Sequence, residues 1–477
     1  MTSFATARPP RLRLPALLTS AALLGGCATF SADGGFAAVE QVARDRLGKD
    51  LQWSRSAADQ DAIDRRVGQL LSKPLTVDDA VQVALLNNRG LQASFQELGI
   101  TEAEVVQAGR LPNPGFSFGR LTRGDEVEWE RGLHVNLARL IAWPFTRQME
   151  ARRFEQTKGL VALSVLALAA DARKAYYNAL AAEESVRYMR QVRQAAEASS
   201  ELARRMEQVG NFNALQRARE QVFYAEAALN LARAEQAQRA TREQLTRLLG
   251  AWATQTQFSL PERLPELPKQ VLDLPDIERV ALAQRLDVQG AKLAAEQTAR
   301  NLGLTRTTRF INVLELGLRS NSSNQAPTQR GWEIGFELPL FDWGGARVAR
   351  AQALYMQAVH RAAETAINAR SEVREAYTGY RSAYDIARYQ RDELVPLNQR
   401  IAQENLLRYN GMLIGVFELL ADARTQIASV NGAILALRDF WIAQADLDMA
   451  LIGKPNLAAS PAAAGPAMSV NAAGAGH

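Results

Sequence analysis

Residues able to make or break bonds are scarce in this chain and far apart. It has three histidines, His134, His360 and His477, and a single cysteine, Cys27. A protein-bound metal needs several such ligands at close spacing, and none of these is near another along the chain. No Gly-x-Ser-x-Gly, phosphate-binding loop or dinucleotide fingerprint stands where a strand would meet a helix. The expectation is therefore a protein with no catalytic residues, no metal site and no cofactor beyond a covalent lipid.

That lipid would sit on Cys27. Arg8, Arg11 and Arg13 form a positive leader, residues 14–24 an apolar stretch, and Leu24-Gly25-Gly26-Cys27 closes it. The stretch is too short to span a bilayer, which takes about 20 apolar residues. The tetrapeptide resembles a bacterial lipobox, so residues 1–26 read as a signal peptide. Cys27 would then carry S-diacylglycerol and an N-acyl chain such as palmitate. Ala28, where an aspartate is absent, implies sorting to the outer membrane by resemblance to bacterial lipoproteins. Two or more acyl chains anchor a protein stably where one does not.

The elements that follow come in two copies. Val83-Ala84-Leu85-Leu86-Asn87-Asn88-Arg89 returns as Val280-Ala281-Leu282-Ala283-Gln284-Arg285-Leu286. Each copy continues with a helical stretch, two alternating segments, a long helical run, a glycine and a second long helix. Residues 27–74 read as a helical lead-in without an evident partner, 75–259 as the first repeat, 260–274 as a proline-rich extended connector, 275–453 as the second repeat and 454–477 as a disordered tail. Thr76 and Asp79 have the spacing of a capping box.

Strands are expected at about 115–121, 128–138, 311–319 and 331–339. In the last, Trp332, Ile334 and Phe336 alternate with Glu333 and Gly335, and in the second Trp129, Leu133 and Val135 alternate with Glu130, Gly132 and His134. Period-2 alternation fits a half-buried antiparallel sheet or a transmembrane barrel with Trp129, Trp332, Ile334 and Phe336 facing lipid. Arg131 interrupts the apolar face and belongs at an interface or near a strand end. Residues 320–327 form the outer hairpin.

Long helices are expected at about 147–209, 213–249, 346–409 and 413–452. The third, broken only by Pro396, would run about 96 Å at 1.5 Å per residue, too long for a compact domain. Its seam residues, mostly alanine and among them Val348, Ala351, Tyr355, Ala358 and Ala362, recur at the coiled-coil period near 3.5. Gly210 and Gly411 suit left-handed turns between outgoing and returning helices. The composition agrees: 47% hydrophobic residues with only 7% aromatic suit thin helical seams better than a thick core. The formal charge of +5 is spread along helices among glutamates, so no nucleic-acid partner is expected.

Pro339-Leu340-Phe341-Asp342-Trp343-Gly344-Gly345 entering a long helix, then Tyr409-Asn410-Gly411 followed by Phe417-Glu418-Leu419-Leu420-Ala421-Asp422, together with the lipobox and the duplication, resembles the outer-membrane factor, or TolC-like, family of efflux lipoproteins. The resemblance covers about residues 75–453. It implies a mainly α fold with a small transmembrane β part: a long coiled-coil helical barrel plus four strands per chain, completing a 12-stranded barrel in a homotrimer. It also implies an efflux exit duct in the outer membrane of a Gram-negative bacterium, reaching into the periplasm, with a periplasmic adaptor and an inner-membrane pump as partners. The adaptor would meet the helical tips near Gly210 and Gly411.

By the same resemblance Glu418, Asp422, Arg408 and Tyr409 are candidate gate residues. Glu418 matches after one extra turn residue, and Asp422 falls one place late. Against this stand a solvated helix face for the two acids and an ordinary helix-end cation and packing tyrosine for Arg408 and Tyr409. If there is a gate, the second copy should carry it. A coiled-coil adaptor or scaffold lipoprotein is the alternative, disfavoured because adaptors normally have one hairpin set in a small β domain. An acidic ring would lean the cargo towards metal or organic cations.

Overall fold

The computed structural model describes residues 29–308, 314–336 and 340–457, so Cys27, His477 and the strand ends expected at 311–313 and 337–339 lie outside the described residues. The elements in order are α1 (Phe36–Leu47), α2 (Ala57–Leu71), α3 (Val77–Asn87), α4 (Arg89–Ala108), β1 (Gly115–Arg123), β2 (Glu126–Asn136), α5 (Leu137–Gln208) and α6 (Ala214–Leu249). After a 3-10 turn come α7 (Ile277–Gln284), α8 (Leu286–Thr308), β3 (Leu314–Ser323), β4 (Gln329–Phe336), α9 (Gly345–Tyr389), a π turn (Gln390–Leu394), α10 (Val395–Asn410) and α11 (Val416–Ile452). Among the described residues no helix is long and apolar enough to cross a membrane.

Two compact units emerge, one from residues 1–37, 96–158 and 293–359, the other from 38–95, 159–292 and 360–477. The first holds a four-stranded sheet in the order β1-β2-β3-β4, antiparallel throughout. Gly124, at φ +59°, closes the β1–β2 hairpin in the left-handed region that an L side chain disfavours. Asn324 ties the two hairpins together: its Oδ1 accepts the Val127 N–H at 2.9 Å and its Nδ2 donates to the Asp125 carbonyl at 2.9 Å.

Several boundaries differ from the sequence reading. β1 runs on to Arg123, β2 starts at Glu126, β4 starts at Gln329, and α11 starts at Val416 rather than 413. β3 reaches Ser323, so that residues 320–323, expected in the outer hairpin, are strand. β2 stops at Asn136 rather than 138, and α5 starts at Leu137, ten residues before 147. The Asn136 carboxamide accepts the Arg139 N–H at 2.8 Å, a helix N-cap that lets α5 begin directly at the strand end. Pro144 therefore lies inside the helix, where it removes one backbone hydrogen bond without ending it. In the second copy, the break expected at Pro396 in the helix over 346–409 takes the form of a π turn just ahead of that proline. A proline cannot donate to the carbonyl four residues back, and a wider i→i+5 turn before it accommodates that lost bond.

The second unit is helical. One of its core clusters gathers Tyr380, Tyr384, Phe440 and Leu447 from α9 and α11 with Ile277 and Ala281 of α7. Tyr177 of α5 stacks on Trp441 of α11 at 5.5 Å. The connector is irregular and strapped down: Trp441 Nε1 donates to the Pro265 carbonyl at 3.1 Å, Tyr384 Oη to that of Pro268 at 3.1 Å, and the Leu264 N–H donates to Glu184 at 3.0 Å. Thr76 caps α3, its hydroxyl accepting the Asp79 N–H at 3.1 Å.

The lead-in, which had no evident partner in sequence, packs on the first repeat. Within the first unit the Ser31 N–H donates to Glu102 at 2.6 Å. Within the second, the Ser54 N–H donates to Gln92 at 3.0 Å and Lys49 pairs with Asp78 at 3.0 Å. Residues 454–457, expected to belong to a disordered tail, are described, and the Asn456 carbonyl accepts from Lys174 at 2.8 Å.

Candidate functional site

The register sorts the sheet's side chains onto two chemically opposed faces. One bears the rows Leu314–Phe336, Val135–Leu316–Ile334 and Phe116–Leu133–Leu318–Trp332. Phe118, Leu318, Trp332, Ile334 and Phe336 of this face are exposed. Arg131 lies one row beyond the apolar rows, between Phe118 and Ser320, with Arg330 at the end of the same row. Trp129, in the next row, is half-buried under Phe118 at 5.3 Å and Arg120 at 5.4 Å.

The opposite face is small and acidic, carrying Glu126, Glu128, Glu130, Glu315 and Glu333. Arg319 pairs with Glu333 at 2.8 Å, and Asn321 donates to Glu128 at 3.0 Å. His134 lies over Gly115, where a β-carbon would collide with the imidazole. The string Gly115-Phe116-Ser117-Phe118-Gly119 lies wholly within β1, so Ser117 is a sheet residue and not a nucleophile on a strand-to-helix turn. Strands of 8 to 11 residues match the roughly 9–11 that a tilted strand needs to cross a bilayer. β1 and β4 each pair on one side only, leaving two open edges.

The helical tips differ from each other. Gly210 is left-handed at φ +78°, and Asn213 and Gln216 form a reciprocal capping box that starts α6. At the second tip Gly411 is not left-handed, with φ −81°; Met412 takes that conformation at φ +59°. The extra turn residue shifts the reversal by one position, and Met412 is left 94% exposed. Glu418 is exposed at the third position of α11, after a Gly415 N-cap that offers no side-chain acceptor, so its charge meets the helix's positive end. Asp422 is held across the hairpin by Asn405 Nδ2. Arg408 is exposed and Tyr409 half-buried in the last turn of α10. In the first tip Glu220 is buried and accepts from Ser199 at 2.8 Å.

Sequence reasoning missed the residues that tie each repeat to its own return helix. Asn88 and Arg285, equivalent in the two copies, both break the helix with extended backbone, at ψ 117° and 124°. Asn88 donates to the Leu248 carbonyl at 3.0 Å, near the end of α6. Arg285, 1% exposed, makes two bonds to Asp287 at 3.0 and 2.6 Å and one to Glu372 at 2.7 Å, and reaches the Ala450 carbonyl near the end of α11 at 3.4 Å. Burial works to lower its basicity, but Asp287 and Glu372 outweigh that and raise it. The signal was present in the aligned motif, where a charged residue replaces an amide with a carboxylate two places on.

A second charged seam joins the copies: Lys174 of α5 pairs with Asp446 of α11 at 3.0 Å. Burial raises the Asp446 carboxyl above its ordinary range despite that lysine. His134 and His360 lie on different elements, and among the described residues no group of three or more His, Cys, Asp or Glu could hold a metal ion.

No family model matches the chain. Solved structures do. A membrane protein from Pseudomonas aeruginosa superposes with TM-score 0.69 at 19% identity, over 79% of this chain and 93% of that one. The Campylobacter jejuni CmeC outer membrane channel superposes with TM-score 0.66 at 16% identity, over 86% and 91%. The chain has the outer-membrane factor channel fold. Of curated proteins, the cobalt-zinc-cadmium resistance protein CzcC of Cupriavidus metallidurans is 25% identical over 285 residues, 56% of this chain and 64% of CzcC. The match thus spans just under two thirds of that relative's length.

Proposed function

We propose that this protein is the outer-membrane exit duct of a tripartite efflux system, a homotrimer that conducts passively and does no bond chemistry. The observation that carries this reading is the open sheet, with one face of apolar rows, the other lined by glutamates, and a free edge on each side. Unpaired backbone groups are not tolerated in lipid, so both edges must be completed by other copies. Two copies give eight strands, a barrel whose interior side chains nearly fill, whereas three give twelve and leave a lumen.

The remaining roles follow on this reading. Cys27 carries the lipid that anchors the chain to the outer membrane. The tips at Gly210 and Gly411 meet a periplasmic adaptor that joins the duct to an inner-membrane pump. Glu418, exposed on the first turn of α11, makes the entrance ring, while Asp422 serves mainly to hold the hairpin through Asn405. The cargo we propose is a divalent metal cation. Support comes from the name of CzcC, a cobalt-zinc-cadmium resistance protein, and from the five glutamates against Arg123 and Arg319 on the sheet's polar face.

Reconstitution of the purified full chain in planar bilayers tests this directly. Discrete conductance steps with a cation-selective reversal potential are expected, and Glu418→Gln should reduce the selectivity. Well-folded trimers that never conduct would overturn the duct, and anion selectivity would overturn the cargo.

A further inference from the structure

All four strands meet helices at the same end of the sheet, as the pairs Gly115↔His134, Asn136↔Glu315 and Leu314↔Phe336 require. The described residues that surround this end, 106–114, 137–149, 303–308 and 340–353, carry six arginines: Arg110, Arg139, Arg147, Arg306, Arg347 and Arg350. Their one acid is Asp342, which accepts the Gly344 N–H at 2.8 Å. The opposite end, 120–130 and 319–330, is balanced, with four arginines and four acids. The excess positive charge is therefore confined to one rim.

Large apolar side chains are exposed among these arginines. Ile141, Phe145, Leu340 and Phe341 all face solvent, Phe341 completely. A soluble surface gains nothing from such groups, but the boundary of a bilayer accommodates both kinds at once. Apolar and aromatic groups enter the acyl edge while the guanidinium, on its apolar stem, stays at headgroup level. Guanidinium also pairs with phosphate through two parallel N–H donors, a geometry that lysine lacks. The rim is continuous along the strands with the apolar rows ending at Phe336 and Leu314.

We propose that this arginine-rich collar is a binding surface for anionic phospholipid headgroups, and that it sets the depth at which the sheet sits in the membrane. The proposal rests on the reading of the sheet as membrane-spanning. The occupant is a phospholipid with a net negative headgroup, not free phosphate, because the apolar groups interleaved with the arginines require acyl chains.

The test uses the full-length trimer in detergent, titrated with phosphatidylglycerol or phosphatidylcholine, with retained lipids counted by native mass spectrometry. Phosphatidylglycerol should be retained at least about tenfold more strongly, since each cation near an anionic surface contributes roughly fivefold. That preference should shrink as salt rises from about 0.05 to 0.5 M. Arg139→Gln/Arg147→Gln/Arg350→Gln should reduce it at least about fivefold, while Arg239→Gln/Arg263→Gln/Arg400→Gln, equal in charge and remote in sequence, should not. Equal retention of the two lipids by the parent protein overturns the proposal without any variant, and so does loss of preference in both triple variants. Competition by millimolar inorganic phosphate as effective as that by lipid would overturn the choice of occupant. A trimer that conducts in planar bilayers yet shows no lipid preference sinks the collar alone and leaves the duct standing.

Discussion

Replacing Arg285 with alanine should destabilise the helical unit by about 3 kcal/mol or more, because truncating one member of a buried ionic group leaves its partners uncompensated. The guanidinium is 1% exposed and spends its donors on Asp287, Glu372 and the Ala450 carbonyl. Asp287 and Glu372 keep 18% and 19% of their side-chain surface in solvent, which places the loss at the lower end of the roughly 3–5 kcal/mol range for buried pairs. Urea unfolding of the detergent-solubilised protein, followed by helical circular dichroism, would measure it. Arg285→Lys retains the charge but not the fork, so it should fall between parent and alanine variant. A deficit below about 1 kcal/mol for both variants at pH 7 would refute the account of this node.

Four further outcomes are expected. Asp446 has a raised carboxyl pKa, so its contribution favours folding below the unfolded value and is lost as pH rises through the folded one; Asp446→Asn should therefore be neutral or stabilising at pH 7, with the gap to parent closing in acid, as thermal melts at the two pH values would show. Tyr177 is pushed up to about 12 by burial, against the pull of Arg173, so spectrophotometric titration should find it still protonated after exposed tyrosines ionise, with stability falling as pH rises from the ordinary tyrosine range towards that value. Met412→Gly should stabilise the second tip by up to about 1 kcal/mol, read as slower amide exchange there, because the residue already holds φ +59°. Ile334→Arg should cost roughly 2–4 kcal/mol and prevent trimers resistant to detergent on gels, while Glu333→Gln on the other face should not.

Much of this was legible in the sequence wherever a physical period runs undisturbed. Alternation of Trp332, Ile334 and Phe336 with Glu333 and Gly335 assigns sheet faces because strand side chains can point only two ways. Legibility failed where a local signal was overruled by its surroundings. The first long helix was expected only from 147, beyond Pro144, yet α5 runs through that proline because the Asn136 cap has already started the helix upstream. Gly411 looked like the left-handed residue, yet the longer turn passes that conformation to Met412. The lead-in was unreadable because its partners, Gln92 and Asp78, are distant in sequence and polar. The gate acids were placed by analogy, and only the contact between Asp422 and Asn405 gives one of them a definite job.

The π turn at Gln390–Leu394 has a meaning for anyone cutting or splicing this chain. An added residue in an ordinary α-helix would turn everything after it by about 100°. A π turn absorbs the addition in a local bulge, so the helix runs on from α9 into α10 without a gap while the residue numbering slips by one. The turn behaves as a frame buffer. Heptad positions counted across it name the wrong face for Arg408 and Tyr409, and a hairpin transplanted between the copies will keep its phase only if the cut is made on the tip side of Leu394.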